Sequence, residues 1–341
     1  MPFLKNAWYM AGWSHEFTVA ALIPRTVVGE PVVFFRKSDG TIAALADTCP
    51  HRLAPLHLGA LNQDRVRCGY HGLEFDASGA CVHNPHGNGA IPSAARVAAF
   101  PVHERNLIAW IWMGEPEKAD AALLPDYSFL SDAPETARNT GYLPTKANYQ
   151  LLSDNILDLS HADFLHTDTL GGGSLTRSRA KIAEEGDTVR IRWEVSGDIV
   201  PPVFARELAD PTARLDQWTQ VIWTAPATMH LSLGVVDPEH SNLVVDALHI
   251  MTPETDTTTH YFFASRRHFK QDDVEYNRMA GEMTRNIFSH EDKPVIEAQQ
   301  LRMGAVTDLL SLNPMLLPID SGALRARRKL SALIEGESAG G

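Results

Sequence analysis

Residues 49–76 read CPHRLAPLHLGALNQDRVRCGYHGLEFD, and two short strings inside this stretch decide what kind of protein the chain is. Cys49-Pro50-His51 and Cys68-Gly69-Tyr70-His71 each set an imidazole just after a thiolate, with 16 residues between the two strings. Four ligands from two loops make a metal site. A tetrahedral Cys₂His₂ zinc site is one reading. The other is a [2Fe–2S] cluster with both cysteines on one iron and both histidines on the other. The order of the ligands favours the cluster, because each loop then gives one thiolate and one imidazole, with the histidine-bound iron outermost. Neutral imidazoles in place of two thiolates raise the potential to roughly −150 to +300 mV, which suits a relay fed by a flavin or ferredoxin donor. Cys81 lies outside the pattern and reads as a small buried apolar residue.

The chain around this motif has 341 residues, 44% of them hydrophobic and 21% charged, as in a folded protein of one large or two ordinary domains. No apolar run approaches the roughly 18 residues of a membrane span. Formal net charge is −12, and the one basic run, Arg325 to Lys329 (RARRK), is short, which argues against a nucleic-acid partner. Three cysteines, an odd number, argue against a disulfide framework. Met1 to Trp13 does not read as a signal peptide, so the expected location is the cytoplasm.

Residues 1–118 read as short β segments between turn signals, at Val27 to Arg36, Thr41 to Asp47, Leu73 to Asp76 and Leu107 to Trp112. A Pro- and Ala-rich connector follows, and the pattern changes over residues 119–341. A helix is expected from about Asn148 to Leu165. Thr188 to Val195 alternates strictly, as a half-buried antiparallel strand does, and Gln217 to Thr224, Thr228 to Val236, Leu243 to Met251 and Thr259 to Ser265 continue the sheet. A helix over Asp273 to Phe288, with Met279, Met283 and Ile287 on one face, is expected to break at Ser289 to Lys293 before a further helix that carries Pro294 in its first turn. The last residues, EGESAGG, read as disordered.

The strings CPHRLAPL and CGYHGLEFD closely resemble the motif of the Rieske non-haem iron oxygenases, and the opening NAWYMAGW resembles the aromatic O-demethylase branch, to which the vanillate and dicamba O-demethylases belong. The resemblance runs from near residue 5 to near residue 330. It implies an α+β chain, with an N-terminal all-β Rieske domain and a C-terminal catalytic domain of helix-grip type, an antiparallel sheet with flanking helices. It also directs attention to DNILDLSHADFLH, residues 154–166. His161 and His166 are five apart, about 140° around a regular helix, so the helix must end or loosen between them before both can reach one metal. By resemblance they hold a mononuclear Fe(II) together with a carboxylate from SHEDKPVIEAQ, where Asp292 aligns best and Glu291 and Glu297 are alternatives. A helix N-cap ahead of Pro294 is the other reading of Asp292.

Asp158, three residues before His161, could orient that imidazole from the same helix face, and Asn155 lies one turn earlier. The resemblance makes Asp158 a bridge to a Rieske histidine, His71, of a neighbouring subunit, and so implies a homotrimer. It implies a separate reductase or ferredoxin that draws electrons from NADH or NADPH, with O₂ and a small aromatic acid as substrates. This chain has no dinucleotide fingerprint, and Gly171-Gly172-Gly173 reads as a flexible loop near the site's mouth. His249, in LHIMTPE, matches a histidine that binds the substrate carboxylate within the branch; Leu231 or His230 falls near the place of its partner asparagine, and Met283 nearest a pocket tryptophan. The segment LNPMLLPIDSGALRARRKL resembles the vanillate enzymes more. The implied reaction is O-demethylation of a methoxylated, vanillate-like aromatic acid with release of formaldehyde, the alternative being N-dealkylation or ring or methyl hydroxylation.

Overall fold

The computed structural model describes residues 3–237 and 243–340. They form two compact units, Lys5–Tyr127 and the chain from Ser128 onward, the latter also including Phe3 and Leu4. The connector expected after residue 118 belongs with the first unit, because Trp8 Nε1 donates to the carbonyl of Asp120, Arg105 to that of Leu124, and Tyr127 N to Asn106 Oδ1. Among the described residues, no helix is long and apolar enough to cross a membrane.

The first unit is all β with short 3₁₀ turns. Strands β1 (Ala7–Trp13) and β11 (Ile108–Met113) pair antiparallel and are buried at every position, which is why both read as unbroken apolar runs; β10 (Val102–Arg105) completes their sheet. A second sheet has the order β2 (Ile23–Val27), β3 (Glu30–Arg36), β4 (Ile42–Ala46), β9 (Ala99–Phe100). The single segment expected over Val27 to Arg36 is in fact the end of one strand and the whole of the next. Val28 and Gly29 both take positive φ there, the geometry of a tight hairpin turn. A third sheet runs β5 (Ala60–Asn62), β6 (Arg65–Arg67), β7 (Glu74–Phe75), β8 (Cys81–His83). Its core joins Val33, Phe35, Leu45, Leu56, Val66 and Phe75 to Cys49, Cys68 and Cys81.

The second unit is built on one seven-stranded antiparallel sheet in the order β12 (Arg138–Thr145), β18 (Thr258–Arg267), β17 (Val244–Thr255), β16 (Thr228–Val236), β15 (Arg214–Thr224), β14 (Thr188–Ile199), β13 (Lys181–Glu185). The alternation read in β14 holds, with Val189, Ile191 and Trp193 buried and Arg190 and Glu194 exposed. Short helices α1 (Ser128–Ser131), α3 (Ala162–Leu165), α4 (Ser174–Arg177) and α5 (Pro202–Ala205) lie in the connections. The longer ones are α2 (Tyr149–Leu157), α6 (Val274–Ile287), α7 (Lys293–Met303) and α8 (Ser321–Gly340).

Three local expectations give way. The helix over Asn148 to Leu165 stops at Asp158, whose backbone turns extended (φ −125°, ψ 93°) while its carboxylate accepts from Ser160 N and starts a 3₁₀ turn over Leu159–His161. The expected break at Ser289 to Lys293 is a π-helical turn, Phe288–Asp292, that joins α6 to α7 without interruption. Pro294 sits in the first turn of α7, where a helix needs no backbone donor from it, and the widened turn lies just ahead. The C-terminal helix also runs on to Gly340, so the residues expected to be disordered are helical, apart from Gly341, which lies outside the described residues.

Gly59 and Gly69 let the two CxH-type loops touch: a Cβ on Gly59 would stand 1.9 Å from the Arg67 carbonyl oxygen, and one on Gly69 2.8 Å from that of Leu58. Gly59→Ala is therefore expected to cost about 1–3 kcal/mol in chemical denaturation. Gly336→Ala, in the last third of α8 with open space around a Cβ, should gain about 0.5 kcal/mol in the same assay.

Candidate active site and metal centres

Helix α2 is started by Asn148, whose side chain accepts from Gln150 N, and it delivers Asn155 in its last turn. The break at Asp158 then swings His161 and His166 back toward that turn. Their Nε2 atoms lie 3.4 and 3.2 Å from Oδ1 of Asp292, and Asn155 Nδ2 donates to the same oxygen at 3.1 Å. Ligand atoms of His161, His166 and Asp292 all lie within 4.8 Å of one another, the only such cluster of three His, Cys, Asp or Glu groups among the described residues. Glu291 and Glu297 are elsewhere: Glu291 binds the far side of the His166 ring, and Glu297 accepts from Lys146 N. Asp292 makes no cap bond to α7.

The outer nitrogen of each ring is held. His161 Nδ1 lies 2.5 Å from the main-chain carbonyl oxygen of Asp158, and His166 Nδ1 lies 2.6 Å from Glu291 Oε2. Both contacts occupy Nδ1 and aim Nε2 at Asp292, so that a proton on Nε2 bonds the carboxylate and its loss frees the lone pair with which imidazole binds a metal. The orientation of His161 expected of the Asp158 side chain is thus the work of its backbone, because Asp158 has left the helix. Burial alone would raise the Asp292 carboxyl, but the bonds from His161 and His166 outweigh it and hold it well below the usual range. For His166, burial disfavours the charged ring, yet Asp292 and then Glu291 overcome this and raise its pKa. A buried carboxylate facing two imidazole nitrogens fits a divalent iron with open positions.

In the first unit, Cys49 and Cys68 are buried, His51 is exposed and His71 half-buried, so the imidazole edge faces outward. The rings of His51 and His71 are 4.5 Å apart between centroids. Nδ1 of His71 is buried without any hydrogen-bond partner, an unmet polar atom that cluster iron would satisfy. Burial, with neighbouring Cys68 adding to it, pushes the Cys49 thiol up to about 11, a proton that metal binding displaces. His86, which sequence reasoning passed over, reaches back with Nε2 to the His71 carbonyl at 2.8 Å.

Beside the triad lies a cavity of about 420 Å³, walled mainly by apolar side chains. Sheet register decides which residues enter it. Cross-strand partners Trp193, Thr219, Leu233, Val245 and Arg267 form one row of its wall, and Leu231, Ala247 and Ser265 the next. Leu231, Met283 and His249 all line the cavity, whereas His230 does not. As the neighbour of Leu231 on β16, His230 points through the opposite face, where it stacks on Phe129 and bonds to Asp246 and Ser232. Its expected place in the substrate pocket is therefore withdrawn. His249 is fully buried; Nδ1 meets Tyr261 Oη at 2.8 Å and Nε2 has no partner. Burial drives its pKa down to about 4, so the ring is neutral at pH 7. The glycine loop is not slack: Asp163 accepts from the N–H groups of Gly172, Gly173 and Thr176.

Residues 7–101 match the Rieske [2Fe-2S] domain family, and residues 145–336 match the family described as the vanillate O-demethylase oxygenase C-terminal domain. The chain is 35% identical to the oxygenase component of dicamba O-demethylase from Stenotrophomonas maltophilia, over 99% of this chain and 100% of that one. It is equally 35% identical to the oxygenase component of chloroacetanilide N-alkylformylase from Rhizorhabdus wittichii, over 98% and 97%. The crystal structure of dicamba monooxygenase bound to dicamba superposes with a TM-score of 0.90 at 34% identity, covering 99% of this chain and 100% of that one.

Asp292→Ala should lose about one iron in three by metal analysis while the visible absorption of the cluster persists, since the two donor sets share no residue. For His249, the folded pKa of about 4 lies below the ordinary 6.5, so the unfolded chain takes up the proton first. Stability is therefore complete above pH 6.5 and falls, by up to about 3 kcal/mol, as pH drops toward 4. Denaturation of the wild type and His249→Gln across this range should show the variant losing less.

Proposed function

The chain belongs to the Rieske-type oxygenase components of the O-demethylase family, and from that premise we propose that it O-demethylates a methoxylated, vanillate-like aromatic acid and releases formaldehyde. The observation that carries this reading is the largely apolar cavity beside the His161–His166–Asp292 cluster, with the unpaired Nε2 of His249 in its wall. An aromatic ring fills such a space, and a buried donor without a partner gains most from a substrate oxygen.

In this reading Cys49, His51, Cys68 and His71 hold the [2Fe–2S] cluster, and His161, His166 and Asp292 hold Fe(II). When bound, these groups supply electron relay and dioxygen activation. The chain's own residues do the rest. With the Tyr261 hydroxyl as the donor to Nδ1 of His249, 2.8 Å away, the ring carries its proton on Nε2 and offers it to the substrate. Leu231 and Met283 shape the wall and exclude water, while Asn155 holds the Asp292 carboxylate by its amide. Hydroxylation of the methyl group takes one atom of O₂ while two electrons and two protons carry the other away as water, and the resulting hemiacetal divides into a phenol and formaldehyde.

Electrons come from a separate reductase, with or without a ferredoxin, at the expense of NADH or NADPH in the cytoplasm. A homotrimer would carry them between subunits, from His71 of the partner subunit to Asp158. One oxygen of the Asp158 carboxylate is bonded to Ser160 N, and its main-chain carbonyl already holds His161. N-dealkylation is the second reading, favoured by the N-alkylformylase relative at the same identity; ring or methyl hydroxylation is the third outcome of the test.

Purified protein with a surrogate reductase, NADH and O₂ is to be given methoxylated, N-methylated and unsubstituted aromatic acids. Formaldehyde matched to loss of a methyl from oxygen is the expected result. Aldehyde from the N-methylated compounds alone would move the assignment to N-dealkylation. A product heavier by one oxygen without aldehyde would move it to hydroxylation.

A further inference from the structure

We propose that Arg206 is the residue that selects an anionic substrate, by holding the substrate's carboxylate at the end of the cavity away from the metal site. This rests on the reading of the substrate as an aromatic acid and adds where its charge is held. Arg206 follows α5 directly and lines the cavity. Among the described residues its guanidinium bonds to the Pro202 carbonyl, at 3.3 Å from Nε, and to the Met283 thioether, at 3.6 Å from Nη2, with Tyr276 in its field. It has no carboxylate partner among the described residues, unlike Arg177 and Arg214, which share Asp198 nearby. The other arginine of the wall, Arg267, is committed to Asn277 and to the carbonyls of Thr136, Lys270 and Asp273. Arg206 is exposed at the rim of the cavity, where its guanidinium faces water rather than a protein carboxylate, and its planar fork suits a substrate carboxylate that takes the water's place.

Position agrees with the chemistry. Met283, against which Arg206 rests, precedes Asp292 by nine residues on one continuous helical path, roughly 13 Å at 1.5 Å per residue. Such a span suits one aromatic ring lying along the cavity, with its methoxy carbon at the metal end and its carboxylate at Arg206. His249, which by resemblance would take the carboxylate, is buried and neutral and lies in the field of the Asp292 carboxylate, so the charge is placed at Arg206 instead of at that ring. An uncharged substrate oxygen suits it better.

Trp193 and Trp218 also line the cavity, so ring binding can be followed by tryptophan quenching in the iron-loaded protein whether or not turnover occurs. The probes are 4-hydroxy-3-methoxybenzoate and its methyl ester, which differ only in the charge. Wild type should prefer the acid, Arg206→Gln should reduce the acid-over-ester preference about tenfold, as for loss of one charge-assisted hydrogen bond, and Arg206→Lys should keep most of it. Equal preference in the wild type, or an equal loss for acid and ester in Arg206→Gln, would overturn the assignment. Discrimination by Arg206 without formaldehyde would leave it standing and overturn the demethylase reading instead.

Discussion

The convergence of two imidazole nitrogens and one carboxylate oxygen within 4.8 Å is the constraint on which the catalytic unit depends. No regular helix presents residues five apart on one side, and a continuous helical path through Pro294 must do without one backbone N–H. Two irregularities resolve this. Asp158 abandons the helix and uses its carboxylate to start a new turn, and the Phe288–Asp292 segment widens to a π turn that rotates Asp292 toward the histidines. The buried carboxylate is expensive to ionise alone, and it is kept ionised by the groups it meets: two rings and the Asn155 amide.

What surrounds the triad makes it rigid and unequal. A main-chain carbonyl holds one ring and a carboxylate the other, and a carboxylate partner makes an imidazole the more basic ligand. Behind α2, buried Arg327 of α8 binds Asp154 and Gln150, so the C-terminal helix clamps the helix that carries Asn155. Burial raises the Asp154 carboxyl in spite of this arginine. A pair of that kind contributes less to net stability than to fixing one arrangement, since removing either partner strands the other.

The Rieske unit solves a different problem, which is to hold a cluster firmly while leaving its redox edge at the surface. Backbone contact between the two ligand loops at Gly59 and Gly69 sets their separation, and thiols on the core side with imidazoles outside set the direction of exposure. The catalytic cavity has the opposite character, walled mainly by apolar side chains. That contrast follows from function: an electron needs an edge to reach, while a bound oxidant needs dry walls.

Much of this was legible in the chain. Cys49, His51, Cys68 and His71 declare themselves by spacing, because each short loop must give two ligands, and the alternation of β14 follows from the fixed period of two in a pleated strand. His161, His166 and Asp292 became candidates through resemblance, since five-residue spacing and a distant aspartate have no local signature. Only the tertiary structure decided that Asp292, rather than Glu291 or Glu297, faces the two rings, because a π turn sets the angle of each side chain and nothing in SHEDK prescribes one. Only the tertiary structure put His230 outside the cavity and Leu231 within it, since a shift of one residue in a strand exchanges its faces and the register is settled by neighbouring strands. The sequence by itself thus determined the chemistry available, through residue types and short spacings; long-range packing decided which of those groups meet, because their distances depend on segments more than a hundred residues apart.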